Sequence, residues 1–152
     1  EHRTVLDLLP AELRQDLHPA GRLDRDTTGL VLLTTDGQWS HRLTSPNHQC
    51  DKRYRVTCAD PVSDEDLQAL RDGIQLRGED RPTLPAGADR VDAHQLLLTI
   101  HEGRYHQVKR MLAARGNKVV ALHREQIGEI ALDVALAPGE FRALSEEEIH
   151  SL

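Results

Sequence analysis

Gly21-Arg22-Leu23-Asp24-Arg25-Asp26-Thr27-Thr28-Gly29-Leu30-Val31-Leu32-Leu33-Thr34-Thr35-Asp36-Gly37 passes from a charged loop into an apolar run and out into a turn. Two glycines bracket the loop, where the backbone has to approach a ligand closely or take a positive φ. Gly29 to Leu33 has the composition of a strand that would hold the loop rigidly. Asp24, set beside Arg22 and Arg25 just before that strand, is the residue whose chemistry has to be explained. The stretch reads as an active-site loop.

Outward from it, the chain is a mixture of short elements. Pro10 followed by Ala11 to Leu17 predicts a short helix ending near Pro19. Asp36 to Leu43 reads as a helix start stopped by Pro46, and Arg53 to Cys58 as a strand. Ser63 caps Asp64 to Arg71, whose acidic first turn suits the helix dipole, and Gly73 ends it. Arg77 to Asp89, with its glycines and prolines, predicts an exposed loop with a brief edge strand around Leu84. Gln95 to His101 is a strand, and Tyr105 to Arg115 a helix closed by Gly116-Asn117 in the left-handed conformation. Lys118 to Arg124 returns as a strand, with Val120, Leu122 and Arg124 on one face. Ile130 to Leu136, Pro138-Gly139 and Phe141 to Leu144 predict a closing hairpin before a helix capped by Ser145. Such mixing without regular βαβ units predicts an α+β domain with a mainly antiparallel sheet.

Composition narrows the function classes. The length of 152 residues suits one domain, and no apolar run approaches the ~20 residues of a membrane span. With no signal-peptide layout at Glu1, the expected location is cytoplasmic, without membrane contact. Cys50 and Cys58 read as reduced core thiols. The nine histidines show no His-x3-His or His-Glu-x-x-His spacing, so no metal site is expected. The net charge of −6 argues against a general polyanion binder, but the charge is segregated. Arg104, Lys109, Arg110, Arg115, Lys118 and Arg124 face only Glu102 and Glu125 in one segment, and Arg42, Lys52, Arg53 and Arg55 face only Asp51 in another. This pattern allows a local RNA groove as well as two ordinary solvated basic faces.

Three separated blocks carry a family resemblance: Gly-Arg-Leu-Asp with Thr-Gly-Leu and Leu-Leu-Thr-x-Asp-Gly, then Gly103-Arg104-Tyr105-His106-Gln107-Val108-Lys109-Arg110-Met111, then Leu122-His123-Arg124-Glu125-Gln126-Ile127-Gly128. In this order they resemble the RNA pseudouridine synthases, and as spelled they are most similar to the RsuA-type branch that modifies small-subunit (16S) ribosomal RNA. The resemblance implies a central sheet flanked by helices, with the active-site cleft across it. It implies an isomerase that needs no cofactor and no metal, and whose partner is ribosomal RNA, free or in an assembling small subunit. It further implies that residues 1–152 are a catalytic domain lacking an N-terminal S4-type domain and the first catalytic-domain strand, and so a piece of a longer protein.

The same resemblance distributes roles. Asp24 is the nucleophile or base at the sugar, and Tyr54 the ring that stacks on the target uracil. Lys109 is the charge partner of Asp24, standing where many relatives have Arg, with Arg110 beside it as the competing choice. Leu122 lines the other side of the base, and Arg22 fills the space left by the flipped nucleotide or binds its phosphate. Arg104, His106, Gln107, Arg110 and Arg124 contribute to RNA binding. Read without the resemblance, Tyr54 is a packing aromatic, Leu122 is core, Arg22 pairs with Asp26, and Asp36 is a turn or helix cap. Two other functions fit the residues: an inactive rRNA-binding module, and a nucleoside hydrolase pairing Asp24 with Asp26 or Asp36.

Overall fold

The computed structural model describes residues 3–45, 48 and 50–152. Its centre is a six-stranded sheet. β4 (Lys52–Cys58) lies between β6 (Gln95–Ile100) and β7 (Val119–Ile127), β5 (Gly87–Arg90) extends the β6 side, and β2 (Thr28–Gly29) and β8 (Ile130–Ala131) both pair with β7. All of these pairings are antiparallel except β2 with β7, which is parallel. β1 (His18–Ala20) and β3 (Leu32–Thr34) form a separate antiparallel pair. The helices are α1 (Gly37–Thr44), α2 (Asp64–Asp72), α3 (Gln107–Ala114) and α4 (Glu146–His150).

Alternation along the strands decides the core. Leu96, Leu98 and Ile100 of β6 point to one face with Val56 and Cys58 of β4, and there they meet Leu67 and Leu70 of α2 and Val108, Met111 and Leu112 of α3. Burying each large side chain of this kind contributes roughly 1.5–3 kcal/mol, so this face dominates stability. A second cluster joins Ala20, Leu30, Leu32, Trp39, Leu43, Ile127 and Ile130 at the β7–β8 end. Trp39 donates its indole N–H to the carbonyl of Ile149 (3.0 Å), fastening α4 onto α1. Cys50 and Cys58 are free thiols, and burial pushes Cys58 up to about 11.

The expected caps form as local chemistry demands. Asp36 accepts from the backbone N–H groups of Gln38 (2.9 Å) and Trp39 (3.2 Å), and Ser63 with Asp66 and Ser145 with Glu148 make reciprocal capping boxes. Gly73 and Gly116 take the positive φ expected after α2 and α3.

Five expectations are corrected. The helix over 11–17 is a single 3-10 turn at Ala11–Leu13, because Asp16 adopts a left-handed φ of 61° and Leu13 has no core to enter. Gly29 to Leu33 is not one strand: β2 ends at Gly29 and β3, in a different sheet, begins at Leu32, with Leu30 and Val31 between them. The edge strand falls at Gly87–Arg90; Leu84 stays in the loop, where its N–H donates to Glu102 (2.6 Å). The closing hairpin turns at Gly128-Glu129 between β7 and β8, and residues 132–145 form no strand. Val120 does not share the buried face of Leu122: the pairing slips by one residue between Thr57 and Cys58, and Val120 bulges outward. Pro46, the expected stop of α1, lies outside the described residues; the helix ends at Thr44, before an extended Ser45.

Candidate active site

The loop carrying Asp24 is clamped from beneath. Arg124, on β7, is nearly fully buried, and its guanidinium donates to the carbonyls of Leu30 (2.7 and 2.9 Å), Gly21 (2.9 Å) and Arg22 (3.4 Å). Buried carbonyls left unpaired would be costly, so this one side chain fixes both ends of the loop. Gly29 completes the clamp. Its φ is +115°, and an added Cβ would lie 2.2 Å from the carbonyl oxygen of Arg124. Only glycine allows β2 to press against β7 at that point. Inside the loop, the N–H of Thr27 donates to the carbonyl of Asp24 (2.9 Å), closing a turn that lifts the carboxylate.

The other lip is residues 103–106, leading into α3. His106 precedes the helix with a left-handed φ of 49°. Here the anchors are ionic and nearer the surface. Arg104 donates to Glu102 (2.8 Å) and to the carbonyls of Arg81 and Pro82 (2.8 Å each), and Arg110 donates to Glu79 (3.1 Å) and to the carbonyl of Tyr105 (3.0 Å). Gln107 is buried, and its amide accepts from the N–H of Arg104 and donates to Glu102.

Between the lips lies a cleft of about 270 Å³ whose lining includes Asp24, Tyr54, Lys109 and Leu122. Tyr54 stands opposite Arg124 in the β4–β7 register, and Leu122 opposite Val56, so the sheet itself supplies the floor. An Asp24 oxygen lies 3.6 Å from His106 Nε2 and 3.7 Å from Lys109 Nζ. Both distances exceed a hydrogen bond, so the carboxylate faces a lysine ammonium and an imidazole while its lone pairs stay free for a ligand. The tight bond of Lys109 goes to Asp26 instead, at 2.7 Å. That bond, with Asp24 adding to it, holds the ammonium above the usual lysine range, and Lys109 in turn holds Asp26 below the usual carboxylate range.

The structure thus gathers Asp24, Tyr54, Lys109, Leu122, Arg22 and His106 around one cleft. Arg104, Gln107 and Arg124 also line it, but their polar ends are engaged within the protein. Arg110 is not in the lining and faces Glu79. Lys109, not Arg110, is the cation beside Asp24. Asp26 pairs with Lys109 and not with Arg22, and Asp36 is occupied as the cap of α1. Among the lining residues not expected at the site is Lys52, half-buried, which donates to the carbonyl of Leu43 (3.3 Å) and which burial holds below the usual lysine range. Its signal was available, since a period of two places Lys52 on the face of Tyr54. Among the described residues, no group of three or more His, Cys, Asp or Glu is arranged to hold a metal ion, and no helix is long and apolar enough to cross a membrane.

The chain belongs to the RNA pseudouridylate synthase family, whose model matches residues 1–114. Among its relatives, the ribosomal small subunit pseudouridine synthase A of Vibrio cholerae is 58% identical over 99% of this chain, and that of Escherichia coli 57% identical over all of it. The chain spans 65% and 66% of the lengths of these two proteins. A crystal structure of a pseudouridylate synthase, 57% identical, superposes with a TM-score of 0.95 over 97% of this chain and 64% of its own. The expected α+β fold with its mainly antiparallel sheet is borne out. An archaeal box H/ACA sRNP Nop10-Cbf5 complex, at 16% identity and a TM-score of 0.50, shares the fold alone.

Proposed function

We propose that this chain is the catalytic part of an RNA pseudouridine synthase that isomerises a uridine of small-subunit ribosomal RNA in the cytoplasm. The observation that carries this reading is the convergence of Asp24, Lys109, Tyr54 and Leu122 on one cleft, from segments far apart in the sequence. In the reaction the bond from C1′ to N1 breaks, the uracil turns while bound, C5 joins C1′, the proton on C5 leaves and N1 gains one. Nothing is gained or lost, so side chains alone can do the work.

Asp24 acts at the sugar as nucleophile or base, with the Lys109 ammonium 3.7 Å from one of its oxygens, beyond hydrogen-bond reach. Tyr54 stacks on the uracil against the wall formed by Leu122, and the ring pocket keeps water from the cleaved intermediate. Arg22, exposed on the lip, binds the phosphate beside the flipped nucleotide. Arg104, Gln107 and Arg124 serve by holding the two lips in place.

The test is Asp24→Asn. Turnover of a small-subunit rRNA transcript should fall by roughly 10^4-fold or more, while binding to that transcript stays near the parent value. An Asp24→Asn variant that still forms pseudouridine at the parent rate would overturn the reading. Free uracil among the products of the parent protein would replace it with a hydrolase.

A further inference from the structure

Aromatic side chains are scarce here: two tyrosines, one tryptophan and one phenylalanine. Trp39 is buried under α4, Phe141 lies in the 132–145 segment outside the cleft lining, and Tyr54 is on the cleft floor. Tyr105 stands apart from these, since it is 76% exposed and sits on the lip of the same cleft. A single exposed apolar group needs no explanation by itself. Tyr105, however, is exposed and held. Its ring is stacked on His106 with centroids 3.8 Å apart and planes 23° from parallel, and its carbonyl accepts from Arg110 (3.0 Å). The left-handed turn at His106, and the bonds of Arg104 and Gln107 on the other side, fix the backbone that presents it.

One face of the tyrosine ring is therefore covered by His106, and the ring meets solvent with its conformational entropy already reduced. His106 in turn approaches Asp24 at 3.6 Å, so the outer ring is two contacts from the carboxylate. A nucleobase lying on the open face of Tyr105 would lie on the lip of the cleft that Asp24 lines. Every base has a π-face that an ordered ring can accept.

We infer that Tyr105 is a stacking platform for an unpaired nucleobase neighbouring the target nucleotide, and that the Tyr105-His106 pair is a second base-binding position on the lip of the cleft. This rests on the proposed function for its ligand class, and it assigns Tyr105 to binding, not to chemistry.

The experiment measures, for one small-subunit rRNA transcript, the Kd by filter binding and the single-turnover rate at saturating protein, with Y105A, Y105L, Y105F and Y105W. Y105F and Y105W should match the parent within about 2-fold, and Y105A and Y105L should bind about 5- to 150-fold more weakly with the saturating rate nearly unchanged. Thermal midpoints should stay within about 2 °C, because the ring is exposed. Parent-like binding by Y105A overturns the inference. So does a Y105F variant as weak as Y105A, which would make the hydroxyl the important group, or a loss confined to the saturating rate, which would make the residue catalytic. The binding arm does not depend on turnover, so an active Asp24→Asn variant would remove the proposed function without deciding the fate of the platform.

Discussion

The two lips of the cleft are held by opposite means. Residues 21–27 rest on a buried guanidinium that meets only backbone carbonyls, with a glycine pressed against the next strand. Residues 103–106 are tied through Glu79, Glu102, Arg104 and Arg110, whose charged ends remain partly in water. The first arrangement behaves as core: desolvated, insensitive to salt and intolerant of change. The second behaves as surface: adjustable, and weakened by ionic strength. Asp24 and Arg22 stand on the rigid lip, and Tyr105 and His106 on the yielding one.

The sharpest way to break this contrast is at Arg124. Arg124→Met should cost roughly 3 kcal/mol or more, because the carbonyls of Gly21 and Leu30 lose their donors inside the protein. Denaturant unfolding should report that loss equally at low and high salt, with activity falling alongside it. A variant that unfolds at the parent midpoint would show that the loop holds itself.

Asp26→Asn probes the seam between the lips at intermediate strength. Asp26 raises the pKa of Lys109, so without it the ammonium loses its proton at a lower pH. The alkaline limb of the pH–rate profile should therefore move to lower pH, with the rate near pH 7 unchanged because an ordinary lysine is still protonated there. Superimposable profiles would mean that Asp24 alone sets the state of Lys109. The smallest effect belongs to Glu79→Gln, which loosens Arg104 and Arg110. Its cost should be about 0–1 kcal/mol at low salt and vanish near 1 M, where the Debye length is about 3 Å. A salt-independent penalty at Glu79 would erase the distinction between the lips.

Elements with local causes were readable in the chain. Asp36, Ser63 and Ser145 announce helix starts because a short polar side chain next to an apolar run has one good use for its oxygen. β4 and β6 were readable because alternation is a local property. The directions that long-range packing decides were not. Arg124, on a strand beside His123 and Glu125, has the sequence profile of a solvated charge or an RNA contact. It turns inward because carbonyls from 103 and 94 residues away converge beneath it, which no local pattern records. The Asp26–Lys109 bond joins residues 83 apart, and nothing near either one favours that pairing over Arg22 or Asp24. The bulge at Val120 and the shift of the edge strand to Gly87 are likewise set by the neighbouring strands. Candidate site residues were legible as chemistry; which of them face a ligand and which brace the frame was not.

β7 contributes the cleft wall at Leu122, the brace at Arg124 and the edge on which β2 rests, yet it comes late in the chain. A ribosome making this protein releases the segment bearing Asp24 well before that strand, by about 5–20 s at roughly 5–20 residues per second. Throughout that delay the acid has no cavity around it. The pocket around Asp24 is thus complete only once synthesis has passed β7, the last segment of the chain that lines it.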